Sequence, residues 1–221
     1  MSGYFLTATG TGIGKTFATC ALIHAAHAAN KPIHACKPII SGFDAADAAS
    51  DTALIGSTLG DALPADSISP WRFAAPLSPH RAAAHEGKMI DAAALESWCR
   101  AQLRLDAITL IEGAGGVMVP ITDRYTMCDL MAALKLPVIL VVGSYLGTIS
   151  HTLTALSVLR AAELRVAALI LNETEGSTVT LAETEAGLTP FIGDIPLRIT
   201  QPRVSSPLQA HAIHALMEQL T

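Results

Sequence analysis

The 221-residue chain lacks the patterns that mark membrane, nucleic-acid-binding and secreted proteins. Its apolar runs, such as Val166–Leu171, are far shorter than the roughly 20 residues that a membrane-spanning helix needs. The net charge of −5 indicates no basic surface for nucleic acid. Because no signal-peptide pattern precedes the first apolar strand, we expect a cytoplasmic protein that binds neither nucleic acid nor membrane.

The cysteines and histidines indicate neither a disulfide framework nor a metal centre of their own. The four cysteines include no Cys-x-x-Cys pair, which is typical of reduced and mostly buried thiols. These cysteines are Cys20, Cys36, Cys99 and Cys128. Two histidine pairs, His24/His27 and His211/His214, have helical spacing, but no nearby cysteine or carboxylate set completes a site.

The order of apolar segments predicts an α/β fold. With 51% apolar and 15% charged residues, the composition is that of a folded chain, and its length suits a single domain over residues 1–221. The predicted strands are Tyr4–Thr7, Ile33–Pro38, Ala107–Glu112, Pro137–Val142, Val166–Asn172 and Phe191–Ile195. The predicted helices are Lys15–Ala29, Asp51–Leu59, Ser78–His85, Asp91–Arg104, Cys128–Leu134, Thr148–Ala162, Val179–Gly187 and Pro207–Leu220. This alternation predicts three layers, in which helices cover both faces of a mostly parallel central sheet.

The sequence also predicts two helix caps and one irregular segment. Asp91 and Thr148 are predicted N-caps of the helices that they begin. The segment Gly42–Pro79 is less regular and rich in proline, and we interpret it as an excursion from the domain rather than as a second domain.

A phosphate-binding loop is indicated by Thr7–Thr16, which reads TATGTGIGKT and follows the first apolar strand. Glycines leave backbone N–H groups free to point at phosphate oxygens, Lys15 can reach the β- and γ-phosphates, and Thr16 can hold Mg²⁺. The following helix presents its positive end to the same anion. The match is imperfect, because Thr9 stands at the usual first glycine.

A magnesium site is predicted where a second strand ends. Ala107–Glu112 is an apolar strand that closes on an acid and continues into the glycine-rich Gly113–Gly116. Mg²⁺ prefers hard oxygen ligands, so Thr16, Glu112 and one further acid would suit it. Asp51 is a candidate for that acid, although an aspartate at a helix start is more often a first-turn or capping residue.

Other polar residues follow predicted strands, at the edge where parallel sheets bind ligands. Lys37 would add a second cation near a transferred phosphate, with Ser41 as a nearby hydrogen-bond donor, or would be a solvated lysine at a strand end. Asn172 could read the edge of adenine or form a turn. The segment Gly143–Ser150 could offer backbone N–H groups to an anion or be a plain turn. The chain lacks the Asn-Lys-x-Asp run that selects guanine, which favours ATP over GTP.

In order and spacing, these positions closely resemble the dethiobiotin synthetases, the ATP-dependent carboxylases of biotin synthesis, over nearly the whole chain. The resemblance rests on Thr7–Thr16, Lys37-Pro38, Ser41-Gly42, Ser50-Asp51, Phe73–His80, Glu112–Gly116, Pro137–Gly143, Leu146-Gly147, Asn172 and Gly193–Pro196. It implies a P-loop NTPase-like fold and a homodimer. It also implies that 7,8-diaminononanoate takes up CO2 as a carbamate, that ATP phosphorylates this carbamate to a carbamic-phosphoric anhydride, and that the second amine closes a cyclic urea.

The resemblance also implies residue roles. The reaction would depend on Lys15, Lys37, Thr11 and Ser41. Mg²⁺ would be held by Thr16, Asp51 and Glu112. ATP would be bound by Gly12, Ile13, Gly14, Lys15, Thr16, Phe17, Asp51, Glu112, Gly113, Ala114, Gly115, Asn172, Glu173, Pro196, Leu197 and Arg198. The diamine would contact Thr11, Lys37 and Ser41, and its carboxylate would meet the partner subunit's turn, through Leu146, Gly147, Thr148 and Ser150.

Four residues depart from the family's pattern. Ala8 replaces a glycine at the loop start, Gly10 and Gly12 stand where acidic or polar residues are frequent, and Ser150 stands where asparagine is common. Two other classes share this type of ATPase core. Amidating synthetases of the cobyrinic-acid type carry a glutaminase domain for which this chain has no room, and partitioning ATPases carry a lysine at the position of Gly10.

Overall fold

A six-stranded parallel sheet forms the centre of the computed structural model, which describes residues 2–60 and 63–220. In chain order the strands are β1 (Ser2–Ala8), β2 (Ile33–Cys36), β3 (Ile39–Ser41), β4 (Trp71–Phe73), β5 (Ile108–Glu112), β6 (Val138–Gly143), β7 (Val166–Asn172) and β8 (Leu197–Gln201). The main sheet has the order β2-β5-β1-β6-β7-β8, and β3 and β4 form a separate two-stranded parallel sheet. The carboxyl ends of β1, β2 and β5 therefore lie side by side.

Helices cover both faces of the main sheet. They are α1 (Lys15–Ala28), α2 (Asp51–Thr58), α3 (Ala65–Ile68), α4 (Pro79–His85), α5 (Ala92–Ala101), α6 (Met127–Leu134), α7 (Thr148–Ala161), α8 (Leu181–Leu188) and α9 (His211–Gln219). Side chains of α1, α2 and α9 share one buried cluster, and those of α5 to α8 share another. Successive strand residues alternate between the clusters, as Phe5 and Leu6 do in β1. The expected three-layer α/β fold with a mostly parallel sheet is confirmed.

The last strand was predicted in the wrong place. The expected strand Phe191–Ile195 is instead the end of a 3₁₀ helix, Thr189–Phe191, followed by a turn at residues 193 and 194, and β8 begins only after Pro196. Ile192 and Ile195 are buried in the core, so their apolar pattern imitates a strand. Proline lacks an N–H group and is confined to the start or edge of a strand, which is why the ladder begins at Leu197.

The predicted caps have different outcomes. Asp91 does cap α5, since its Oδ1 accepts hydrogen bonds from the N–H groups of Ala93 (2.9 Å) and Ala94 (3.1 Å). The cap of α7 is Gly147 rather than Thr148, because the backbone there has a φ of 94° that glycine adopts without strain. Thr148 is the first helical residue, and its hydroxyl donates to the Gly143 carbonyl at 2.6 Å.

The irregular segment after β2 contains more regular structure than its sequence indicated. It includes α3 and β4 besides the predicted α2, and β4 pairs with β3 from Ile39↔Trp71 to Ser41↔Phe73. Residues 61 and 62 within it lie outside the described part of the chain. Among residues 2–60 and 63–220, no helix combines the length and the apolar character that crossing a membrane requires.

Candidate active site

The glycine-rich loop between β1 and α1 is fixed by the end of β7. Gly14 caps α1 with a φ of 95°, and a Cβ atom there would lie 2.3 Å from the Asn172 amide nitrogen. That nitrogen donates to the Ile13 carbonyl at 3.1 Å. Only glycine fits at position 14, and Asn172 ties the loop to the neighbouring strand end.

Lys15, the first residue of α1, is folded back over the loop. Its ammonium donates to the carbonyls of Gly115 at 2.7 Å and Gly10 at 3.2 Å, and the residue is only 6% exposed. Burial is the largest cause that lowers the pKa of Lys15 from 10.5 to about 8, and the positive charge of Lys37 is the next. Within the described part of the chain no carboxylate contacts this buried ammonium, so it is suited to receive a phosphate group.

Glu112 is the centre of a buried polar cluster. It ends β5, directly across from Leu6 of β1, and is 0% exposed. Its Oε1 accepts from the Thr16 hydroxyl at 2.7 Å and from the Lys37 ammonium at 2.8 Å. Its Oε2 accepts from the Thr19 hydroxyl at 2.6 Å. Each oxygen of this buried carboxylate therefore has a hydrogen-bond partner.

Lys37 reaches the cluster because the strand register places it there. Cys36 of β2 pairs with Ile111 of β5, so the next residue on each strand brings Lys37 beside Glu112. The Lys37 ammonium also forms an ion pair with Asp51. Burial alone would lower the pKa of Lys37, but the two carboxylates overcome this effect and raise it.

Asp51 is not needed as the cap of α2. Ser50 holds that position, with its hydroxyl accepting from the Ala53 N–H at 3.4 Å. Partial burial would raise the pKa of Asp51, but the Lys37 ammonium dominates and lowers it. The carboxylate therefore stays ionised in the cluster.

The residues expected to hold Mg²⁺ lie around one point. The Asp51 carboxylate and Glu112 Oε1 both face the Lys37 ammonium, and the Thr16 hydroxyl bonds to the same Glu112 oxygen. The ammonium thus marks a position for positive charge among hard oxygen donors. The described residues contain no group of three or more His, Cys, Asp or Glu side chains placed for a metal, so protein alone offers no full cage. Two carboxylates and a hydroxyl fit Mg²⁺ that also uses water and phosphate oxygens.

A cavity of about 780 Å³ opens beside this cluster. The expected site residues on its wall are Thr11, Gly12, Gly14, Lys15, Thr16, Phe17, Lys37, Ser41, Asp51, Ala114 and Gly115. The Ser41 hydroxyl oxygen is buried and finds no hydrogen-bond partner among the described residues. An unpaired buried hydroxyl on a cavity wall is available to a ligand. Gly113 lies behind the wall, where its N–H donates to the Leu6 carbonyl at 2.8 Å.

A second cavity of about 340 Å³ adjoins the loop from the β7 side. It is lined by Gly12, Ile13, Gly14, Phe17, Asn172, Glu173, Thr174, Glu175, Arg203 and Val204. The Arg203 N–H donates to Glu173 at 2.7 Å, and its guanidinium donates to Glu175 at 2.8 Å. Asn172 and Glu173 thus lie where the sequence placed them, beside the loop.

Pro196, Leu197 and Arg198, expected at the base or ribose, are not brought to this cavity. Leu197 pairs with Ala168, four residues before Asn172, whereas Gln201 pairs with Asn172 itself. At about 3.3 Å per residue, Leu197 is roughly 13 Å from the strand end that faces the loop. The segment after Gln201, including Arg203, lies there instead. Their distance from this cavity follows from β8 beginning at Leu197 rather than at Phe191.

The expected carboxylate turn also lies outside both cavities. Leu146 is 84% exposed and Ser150 is exposed. Thr148 is buried, and its hydroxyl donates to the Gly143 carbonyl. The turn is held to the β7–α8 loop, because Ser144 and Thr174 exchange two bonds of 3.1 Å each, from the N–H of one residue to the hydroxyl of the other. Within one chain this turn therefore lines neither cavity.

Comparison with known proteins gives the family. A family model described as an AAA domain matches residues 2–202. The ATP-dependent dethiobiotin synthetase BioD of Caulobacter sp. (strain K31) is 46% identical over 98% of this chain and 95% of that protein. The corresponding protein of Phenylobacterium zucineum (strain HLK1) is 44% identical over 97% of this chain and 92% of that protein. The chain belongs to the dethiobiotin synthetase family.

Solved structures place this dethiobiotin synthetase family member within a broader fold. The septum site-determining protein MinD of Pyrococcus horikoshii OT3 has a TM-score of 0.63 at 17% identity, covering 98% of this chain and 94% of that chain. A ParA family ATPase of Chlorobium tepidum TLS has a TM-score of 0.56 at 14% identity, covering 99% of each chain. At such identities the likeness shows the fold alone.

The departures from the dethiobiotin synthetase pattern fit the loop without distortion. Ala8 is the last residue of β1, fully buried, and its carbonyl accepts from the Val117 N–H at 3.2 Å. Its extended backbone accommodates any L residue. A Cβ atom at Gly10 would come no closer than 3.8 Å to Ile13. Gly12 has a φ of 72°, which a side chain would strain.

Two residues at the site were missed from the sequence. Thr19 lies three residues after Thr16, so both hydroxyls face Glu112 from one side of α1, and this spacing was a usable signal. Arg203 had no such signal, because its position depends on where β8 ends.

Proposed function

We propose that the chain is an ATP- and Mg²⁺-dependent dethiobiotin synthetase that converts 7,8-diaminononanoate and CO2 to dethiobiotin in biotin biosynthesis. We further propose that residues 1–221 act as one synthetase domain. The observation that carries this proposal is the Lys37–Glu112–Asp51 cluster beside the phosphate-binding loop. It lies at the wall of a cavity that also presents the unpaired Ser41 hydroxyl.

In this proposal the loop binds the ATP phosphates. N–H groups of residues 12–17 and the positive end of α1 face the anion, and Lys15 leaves the Gly115 and Gly10 carbonyls to contact the phosphates. The base occupies the smaller cavity, with Asn172 on one side and Arg203 on the other. The acidic residues Glu173 and Glu175 would accept from an exocyclic amine, which suits adenine.

The carbamate is the proposed nucleophile. One substrate amine adds to CO2 and loses a proton, and a carbamate oxygen then attacks the γ-phosphorus of ATP, releasing ADP. The second amine attacks the carbonyl carbon of the mixed anhydride, phosphate leaves, and a proton is lost as the cyclic urea closes. Lys37, Thr11 and Ser41 line the cavity where the carbamate would lie. The phosphoryl transfer needs positioning and charge neutralisation more than a nucleophilic side chain.

In this proposal the Lys37 ammonium occupies one position without Mg²⁺ and another when Mg²⁺ is bound. With its ammonium against Asp51 and Glu112, it neutralises two carboxylates that would otherwise repel each other. Thr16, Asp51 and Glu112 are proposed to hold Mg²⁺, which would neutralise phosphate charge when bound. Lys37 would then be free to face the transferred phosphoryl group and the carbamate.

A homodimer completes the proposed substrate site. The turn at Leu146–Ser150 lines neither cavity of its own chain but offers exposed backbone at the start of α7. We propose that the partner subunit's turn binds the substrate carboxylate. No charged side chain is then needed at the carboxylate, because N–H groups at a helix start bind anions.

Product analysis tests the activity. The purified chain is incubated with ATP, Mg²⁺, 7,8-diaminononanoate and ¹³C-bicarbonate, and the product is analysed by mass spectrometry. We expect dethiobiotin with the label in the ureido carbonyl, and none with the Lys37→Ala variant. Absence of labelled product from the folded parent chain would refute the activity.

A further inference from the structure

We propose that Thr19 is a positioning residue that restricts Glu112 to a single oxygen for the metal ion. This inference rests on the proposed function, because it assumes that Glu112 is a metal ligand. Thr19 is fully buried in α1 and lines neither cavity of the loop. Its shortest hydrogen bond to a residue of the site is the one to the Glu112 carboxylate, at 2.6 Å.

The two oxygens of Glu112 have separate surroundings. Oε1 faces the site, where it accepts from Thr16 at 2.7 Å and Lys37 at 2.8 Å. Oε2 faces away and accepts from the Thr19 hydroxyl at 2.6 Å. A short bond to a charged, fully buried carboxylate is among the stronger hydrogen bonds in proteins. It holds the plane of the carboxylate with one oxygen toward the site.

The Thr19 hydroxyl has one proton and two acceptors within reach. The Lys15 carbonyl lies 3.1 Å away, one helical turn earlier, and Glu112 Oε2 lies at 2.6 Å. The carbonyl is a neutral acceptor that already belongs to the helix, whereas the carboxylate is charged and would otherwise have an unpaired buried oxygen. The proton is therefore assigned to the bond with Glu112.

The consequence is a narrower choice of metal coordination. Mg²⁺ demands near-octahedral geometry and is usually bound through one oxygen of a carboxylate, whereas larger ions accept both oxygens. Removing a residue that orients a metal ligand typically lowers metal affinity about 10- to 100-fold. Losing the Thr19 hydroxyl would let the carboxylate rotate and present both oxygens.

The test compares Thr19→Val, which keeps the shape but lacks the hydroxyl, with Thr19→Ser, which keeps the hydroxyl. ATP affinity is measured by calorimetry with Mg²⁺ and again in excess EDTA, after thermal unfolding has established that each variant is folded. We expect Thr19→Val to weaken ATP binding about 10-fold with Mg²⁺ and less than about 2-fold in EDTA. Thr19→Ser should stay within about 3-fold of the parent in both conditions.

Three outcomes would overturn the inference: an equal loss in both conditions, parent-like Mg²⁺-ATP binding by Thr19→Val, or a failure of Thr19→Ser to retain binding. If Thr19→Val does not fold, Thr19→Ala, which also lacks the hydroxyl, takes its place with the same expectation. Because no diamine is present, failure of the proposed carboxylation would leave these values unchanged. A parent chain that binds ATP equally with and without Mg²⁺ would refute the metal site and the role of Thr19 together.

Discussion

Lys37 is the residue on which most of the site's electrostatics depends. It is 5% exposed and contacts both carboxylates of the cluster, so its removal leaves Glu112 and Asp51 facing each other without a cation. Sequence reasoning could find Lys37, Glu112 and Lys15 because each follows a recognisable strand or motif. It could not show that Lys37 bonds to the acids, since that contact depends on the register of β2 with β5.

Replacement of Lys37 by alanine should affect both turnover and stability. We expect kcat to fall about 100- to 1,000-fold, because a group placed where transition-state charge develops is lost. The free energy of unfolding without ligands should fall by about 3 kcal/mol, since two carboxylates lose their partner. Turnover assays and urea unfolding measure these effects. Lys31→Ala, at the opposite end of the sheet, is the control and should be neutral; parent-like turnover by Lys37→Ala would remove Lys37 from the reaction.

The lowered pKa of Lys15 should make the free energy of unfolding depend on pH. Its pKa of about 8 in the folded chain is below the ordinary 10.5, so the folded state releases the proton before the unfolded state does. The resulting destabilisation is complete below pH 8 and disappears as the pH rises toward 10.5. Relative to Lys15→Met, the parent should therefore gain up to about 3 kcal/mol over this interval. Urea unfolding of both proteins at a series of pH values measures the gain, and a constant difference would contradict it.

At the scale of elements, the strand-loop-helix unit from β1 to α1 could be predicted from the sequence, and the end of the chain could not. The glycine-rich loop combines an apolar strand, glycines and a lysine in a fixed order, whereas β8 is a half-buried edge strand with a weak pattern. The buried Ile192 and Ile195 imitate an earlier strand, although they lie between two prolines, at 190 and 196. Because β8 begins at Leu197, the residues expected at the base lie near its start and do not line the cavity beside the loop.

Because of the position of β8, Arg203 can serve as the test residue for base binding and Arg198 as its control. Arg203 lines the cavity beside Asn172, whereas Arg198 lies toward the start of β8, against α8. We expect Arg203→Ala to raise the KM for ATP about 5-fold, from the loss of a cation next to the base, and Arg198→Ala to leave it unchanged. Steady-state kinetics with saturating diamine and bicarbonate measures both. A larger effect at Arg198 would instead support the assignment made from the sequence.

At the scale of the whole molecule, the proposal requires two subunits per functional site. Gly147→Asp places a negative charge at the start of α7, where the substrate carboxylate would bind, and Gly147→Asn is its neutral control. We expect Gly147→Asp to raise the KM for the diamine at least about 10-fold with little change for ATP, and Gly147→Asn to do so much less.

Mixing then tests whether the turn acts across the interface. Lys37→Ala and Gly147→Asp chains, each inactive at low diamine concentration, are combined, unfolded and refolded together. Half of the dimers would be mixed, and each would keep one intact site, so about a quarter of the parent activity should return. No recovery from chains shown to be dimeric by sedimentation would mean that each site uses its own turn.

In the proposed reaction ATP is consumed to activate a carbamate, and this consumption is tested by phosphate release with each substrate omitted in turn. Phosphate is measured with ATP, bicarbonate and 7,8-diaminononanoate together and with each left out in turn. We expect release only when all three are present, with one phosphate for each dethiobiotin formed. Phosphate release at the same rate without the diamine would contradict it.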